Sequence, residues 1–171
     1  TRRSSDLGGR ETCDSQGRTV SPFPSSPTDC AAAARPLISV LIPAYHPPGL
    51  VRRCLQSVAA QTEPLEHVVL VDDASPYDLS ALPAEFPGVR FERNARNLGI
   101  AANWNRCLAE AQGAYVTFLH SDDELAPDWH ARWRPILQSA DPSVNLFCSA
   151  SIIVDDAGAP KPEHSYWKGF P

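Results

Sequence analysis

The chain has 171 residues, 43% of them hydrophobic, enough to build one domain around a real core. Its formal net charge is −5 and no long basic run occurs, which argues against nucleic acid or an anionic membrane surface as the main partner. No apolar run approaches the roughly 20 residues that a bilayer-spanning helix needs.

Residues 1–35, "TRRSSDLGGRETCDSQGRTVSPFPSSPTDC" and the alanines after it, are rich in Ser, Pro, Gly and charge without a sustained period, and are expected to be disordered. A folded domain is expected over 36–171. The five cysteines are scattered and form no CxxC pair, so neither a zinc site nor a disulfide framework is indicated and a reducing compartment fits. The chain starts at Thr1 and contains no methionine, as expected of a piece of a longer protein, C-terminally incomplete.

Order is expected from Leu37. "LISVLIPAY" (37–45) is an aliphatic and β-branched run closed by proline, the pattern of a strand buried on both faces. "PPGLVRRCLQSVAAQT" opens with prolines suited to a helix start and puts Leu50, Val51, Cys54, Leu55 and Val58 on one face. "EHVVLVDDAS" gives a second buried strand, Val68 to Val71, that ends in acids. A short strand is expected at Val89–Glu92.

"NLGIAANWNRCLAEAQG" reads as a helix with Trp104, Cys107, Leu108 and Ala111 inward and Gly113 as its stop. "AYVTFLH" is a fourth strand. "APDWHARWRPILQSA" is a further helix with Asp128 in its first turn and a break or kink near Pro135. "VNLFCSASIIV" supplies one strand or two before the turn signal "DDAG". This alternation predicts an α/β fold: a Rossmann-like, mostly parallel sheet with helices on both faces.

Ligands of open parallel sheets bind beyond the carboxyl ends of the strands. The first strand ends there in Pro43-Ala44-Tyr45, the second in Asp72-Asp73-Ala74-Ser75, the third in "RNARNLG", and the fourth in His120-Ser121-Asp122-Asp123. Taken alone, either acid pair reads more readily as a helix cap or a solvated turn, and "NLG" as a turn. His120 reads as a packed or hydrogen-bonding loop residue rather than a ligand, and Trp104, Trp129 and Trp133 as core. Convergence of all four segments at one sheet edge is what favours a site.

Neither G-x-G-x-x-G nor a G-x-x-x-x-G-K-[ST] loop is present, so a phosphate-bearing ligand would lack a glycine cradle. In a net-negative chain it would need a divalent cation. Mg²⁺ or Mn²⁺ takes hard oxygen ligands and bridges carboxylate to diphosphate, and Asp122 and Asp123 suit that role. A phosphoryl-transfer receiver domain is disfavoured, because the acid pair follows the second strand rather than the first.

In order and spacing, "ISVLIPAYHPPGLVRRCLQSVAAQT", "HVVLVDDAS" and "RNLGIAANWNRCLAEAQGAYVTFLHSDDELAPD" resemble the family 2 glycosyltransferases of glycosyltransferase-A fold, over about residues 37–155. The resemblance implies a metal-assisted, inverting transfer of a sugar from a nucleotide-diphosphate donor, with UDP the expected nucleotide, to a hydroxyl of a glycan or lipid-linked acceptor in polysaccharide synthesis. It implies that Pro43, Ala44 and Tyr45 lie along the base and ribose, that Asp73, with Asp72 beside it, meets the base, and that Asn97, Gly99 and Asn103 line the donor site. "HSDD" resembles the family's D-x-D metal element with His120 in place of its first acid.

The resemblance places the catalytic base in an acceptor half expected beyond Pro171; Asp155, Asp156 and Glu163 read instead as turn residues. A module that binds the donor without transferring it is the alternative. The expected location is the cytoplasm or the cytoplasmic face of the membrane.

Overall fold

The structure, a computed structural model, describes residues 12–13, 19–20, 37–149, 151–155 and 158–161. It divides into two compact units, residues 1–139 and 140–171. In the first, β1 (Thr12–Cys13) pairs antiparallel with β2 (Thr19–Val20); otherwise the disorder expected over 1–35 lies outside the described residues.

The centre is a four-stranded, all-parallel sheet of β3 (Ile38–Ala44), β4 (His67–Asp72), β5 (Arg90–Arg93) and β6 (Tyr115–Phe118), in the spatial order β5-β4-β3-β6. Val40, Leu41 and Ile42 are all fully buried, so both faces of β3 are covered and the run shows no polar alternation. On one face Leu41, Val69 and Val71 pack with Cys107 of α3 (Ile100–Leu108), and Leu108, Ala111 and Phe118 close the cluster. Each large side chain in it contributes about 2 kcal/mol by burial. By the right-handed rule for crossovers between parallel strands, α1 (Pro48–Ala59) and the short α2 (Leu82–Glu85) belong to the opposite face.

The sequence reading is corrected in several places. In α1, Val51, Cys54, Leu55 and Val58 are buried as expected, but Leu50 is 36% exposed on the helix flank. Pro48 occupies the first turn, where a missing N–H has no partner to lose. The helix α3 ends at Leu108, so Gly113 is not its stop. A Cβ at Gly113 would lie 2.6 Å from the Ser39 backbone nitrogen, and this close approach is what requires glycine.

No break occurs at Pro135: α4 (Trp129–Gln138) runs through it, and Pro135 is exposed, where water can meet the freed carbonyl one turn earlier. None of Trp104, Trp129 and Trp133 is fully buried; the last two meet at a tilt, 6.4 Å apart.

In the second unit the strands expected in "VNLFCSASIIV" do not form among the described residues; only an isolated antiparallel bridge joins Val154 to Pro160. Leu146 and Ile152 are exposed at 80% and 69%, and a β-branched run without a neighbouring ladder cannot satisfy its backbone as a strand. Among the described residues no helix is long and apolar enough to cross a membrane.

Candidate functional site

The strand order reverses direction at β3: the chain first steps outward to β4 and β5, then returns to β6 on the other side. Such a switch point leaves a crevice between the carboxyl ends of the two central strands. Pro43 helps to open it. The Leu41 carbonyl accepts the Leu119 N–H at 3.0 Å, the last link between β3 and the β6 side. Two residues on, Pro43 turns toward that same side and has no N–H to continue the ladder.

A cleft of about 390 Å³ occupies the crevice, within the range usual for small-ligand sites. From β3 it is lined by Pro43, Ala44, Tyr45 and His46, and from the end of β4 by Asp73. Asn97, Gly99, Ile100, Asn103 and Trp104 line it from α3 and the preceding loop, and His120 and Ser121 from beyond β6.

Asp73 organises this cleft. It is nearly buried, and its carboxylate accepts the backbone N–H groups of Leu98 (2.8 Å) and Gly99 (2.9 Å) and the Asn94 amide (2.8 Å). Gly99 starts α3 at φ +82°, a left-handed conformation that glycine adopts without strain. Asn97 also accepts the Gly99 N–H, at 2.9 Å. Asn103 lines the cleft, but its amide is spent inward: it accepts from Asn94 and donates to the Val71 carbonyl. Asp72 diverges from its neighbour. It pairs with Arg93, accepts the Ser75 N–H at 3.0 Å, and lines a different cleft beside Tyr77 and Leu79. Ala74, which follows Asp73, is held at φ +51°, which costs about 1 kcal/mol for a residue with a Cβ.

Beyond β6, ligand atoms of His120, Asp122 and Asp123 lie within 4.8 Å of one another, all three residues exposed. His120, read from the sequence as a packed or hydrogen-bonding loop residue, meets the Trp104 ring edge to face at 5.3 Å. Partial burial of its carboxyl group, and then repulsion from Asp122, pushes Asp123 above its ordinary value. Each of the three could offer one ligand atom to a divalent cation.

The acids are held from α1 and from the residues on either side of it. His46 sets Nδ1 2.9 Å from the Ser121 hydroxyl and Nε2 3.8 Å from Asp122. Arg53 pairs with Glu124, so one of the three clustered acids has an ordinary partner. The Cys54 thiol donates to the His120 carbonyl at 3.6 Å; burial, with the acids nearby, pushes it up to about 12, so it remains an inert thiol. Gln61 donates to the Ala126 carbonyl and accepts the His130 N–H, closing the far end of the loop.

Of the residues singled out in the sequence, Pro43, Ala44, Tyr45, Asp73, Asn97, Gly99 and Asn103 thus meet in one cleft, and Asp122 and Asp123 follow directly on Ser121 in its wall. His46, Asn94, Ile100 and Trp104 were missed. His46 follows a strand-end motif and could have been found by that position; the others carry no sequence signal apart from the fold.

A family model described as "Glycosyl transferase family 2" matches residues 39–170. The chondroitin synthase of Escherichia coli is 37% identical over 97 residues, 54% of this chain and 14% of the synthase. Staphylococcus aureus TarS, solved in complex with UDP, superposes with a TM-score of 0.53 at 27% identity, covering 59% of this chain and 32% of TarS. The mannosyltransferase PcManGT of Pyrobaculum calidifontis, solved with GDP-Man and Mn²⁺, gives 0.51 at 26% identity, covering 66% and 34%. The chain spans about a third or less of each of these proteins.

Proposed function

The chain belongs to glycosyl transferase family 2 and has the glycosyltransferase-A type of fold, and on that premise we propose that its switch-point cleft binds the nucleotide-diphosphate end of an activated sugar for metal-assisted, inverting transfer to an acceptor hydroxyl. The observation that carries this reading is that Asp73 and the His120–Ser121 segment line one cleft, with a three-residue cation-ligand cluster running on from it. UDP is the proposed nucleotide, a glycan or lipid-linked hydroxyl the acceptor, and polysaccharide synthesis at the cytoplasmic side the setting. TarS solved with UDP and PcManGT solved with a nucleotide sugar and Mn²⁺ support the donor class.

In this reading Pro43, Ala44 and Tyr45 lie along the base and ribose, and Tyr45 offers an aromatic ring at the rim. Asp73 has three of its lone pairs committed to Leu98, Gly99 and Asn94, leaving room for a donor from the base. Asn97 and Gly99 border the same end. Asp72, turned to Arg93, acts on this site only by anchoring the strand end. Asp122 and Asp123 would hold Mg²⁺ or Mn²⁺, which supplies Lewis-acid stabilisation of the departing diphosphate.

A second reading, a module that binds the donor without transferring it, is favoured by one observation. Among the described residues after Asp123, each acid is engaged locally: Glu124 by Arg53, Asp128 by Arg132, Asp141 by Ser143 and Asp155 by Ala159.

The test is calorimetric titration of the chain with UDP, with and without Mn²⁺, repeated on Asp122→Ala and Asp123→Ala. Binding that requires the cation and disappears in both variants is expected. Absence of binding in the unaltered chain, or binding indifferent to both substitutions, overturns the donor-site reading. Release of sugar from the donor onto an added acceptor would eliminate the binding-module reading.

A further inference from the structure

We propose that His46 hydrogen-bonds the diphosphate of the bound donor through its Nε2–H, and that the buried Ser121 hydroxyl keeps the ring proton on that nitrogen. This rests on the donor-site reading above and adds to it an anion contact made by the protein itself, from the β3 side of the crevice.

A diphosphate needs hydrogen-bond donors or positive charge, and the cleft is short of both. Among the described residues that line it, none is Lys or Arg. A helix N-terminus would ordinarily offer its N–H groups to a phosphate. Here those of Leu98 and Gly99, at the start of α3, are already given to Asp73. Asn103 gives its amide to the Val71 carbonyl. The contact then falls to side chains, and His46 is one whose donor position the structure fixes.

Its Nδ1 stands 2.9 Å from the Ser121 hydroxyl. Ser121 is fully buried, and that hydroxyl makes no other hydrogen bond among the described residues. Were the ring proton on Nδ1, the hydroxyl would accept it and its own hydrogen would be buried without an acceptor. That penalty outweighs the small preference between imidazole tautomers. The hydroxyl therefore donates to Nδ1, and the ring proton sits on Nε2.

Nε2 lies 3.8 Å from Asp122, too far for a hydrogen bond, so its proton has no acceptor among the described residues. The side chain is 41% exposed and lines the cleft. Its mount is stiff. Pro47 fixes its own φ and restricts the backbone of His46 before it. The Pro47 carbonyl in turn accepts the Leu50 and Val51 N–H groups at the start of α1. A donor held this way, without a partner of its own, gains strength as charge builds on the departing diphosphate.

The experiment reads the tautomer by long-range proton–nitrogen correlation spectra of the imidazoles at mildly alkaline pH. Calorimetry reads binding of Mn²⁺ alone and of UDP in its presence. His46 is expected in the Nε2–H form in the unaltered chain and as a mixture of tautomers in Ser121→Ala. His46→Phe should weaken UDP binding about tenfold, as expected for one hydrogen bond to a charged group, and leave Mn²⁺ binding without nucleotide within about twofold. His46→Gln, whose amide nitrogen reaches about as far as Nε2, should recover most of the loss. Five results overturn the proposal and leave the donor-site reading standing: an Nδ1–H ring in the unaltered chain, an unchanged tautomer in Ser121→Ala, UDP binding unaltered in His46→Phe, no recovery in His46→Gln, or an equal loss of Mn²⁺ binding without nucleotide. No UDP binding by the unaltered chain overturns both.

Discussion

The carboxylate of Asp73 at the end of the second central strand accepts the backbone N–H of Gly99 at 2.9 Å, tying the β4 end to the first turn of α3 across 26 residues of sequence. Leu98 donates to the other oxygen of the same group. An amide cannot accept at both positions. Asp73→Asn is therefore expected to lower stability by about 1–3 kcal/mol and to abolish UDP binding. Urea denaturation and nucleotide titration measure the two effects; a fully stable variant that still binds UDP would contradict this account of the cleft.

Gln61 is a long way in sequence from the acids it supports. It is nearly buried, donating to Ala126 and accepting from His130, with Leu125 held by Ser57 beside it. Gln61→Leu keeps the volume and strands both backbone groups, at a cost of about 2 kcal/mol. We expect a lower denaturation midpoint together with weaker Mn²⁺ binding, because the loop after Asp123 loses its anchor.

Gly113 lies against backbone on every side, with the Ser39 nitrogen, the Ile38 carbonyl carbon and the Tyr115 oxygen all under 3.0 Å from where a Cβ would stand. No side chain there can yield. Gly113→Ala should destabilise by about 3 kcal/mol by forcing β3 and β6 apart. Comparable melting of the variant and the parent would refute the close packing.

His67 supplies a pH dependence remote from the site. Burial, and then Arg90, hold its imidazole below the ordinary value, with Glu110 opposing, and its Nδ1 faces the Ser39 hydroxyl at 3.0 Å. That hydroxyl already accepts the Gln112 and Gly113 N–H groups, so it donates to a neutral ring. The unfolded chain takes up a proton near pH 6.5 while the folded chain still resists it. Stability from this group is therefore complete at pH 7.5 and declines as pH falls through 6.5 toward the lower folded value. Denaturation midpoints from pH 7.5 to 5.5 should fall, and fall less in His67→Gln.

Much of the site was legible as a list of strand ends. Runs such as "SVLI" and "VVLV" could only be strands buried on two faces, and in a parallel sheet whatever follows such strands collects at one edge. By that logic Tyr45, Asp73, Gly99 and His120 belong to one edge, and there they line one cleft. It failed where a neighbour decides the outcome. Asp72 and Asp73 are identical in composition and adjacent, and alternation along a strand sends one to Arg93 and the other to the cleft. "VNLFCSASIIV" has the composition of a strand and lacks a ladder to join among the described residues.

Periodicity therefore settled the order of the elements, the parallel sheet and the edge at which the polar residues gather, because burial on both faces leaves an unbroken apolar run that can be recognised by eye. Tertiary packing alone decided which carboxylate turns into the crevice, and that Trp104 stacks on Phe118 beside His120 instead of being fully buried. Those outcomes depend on contacts between residues far apart in the chain, and hydrogen-bond partners and ring geometry at such separations leave no trace in local pattern.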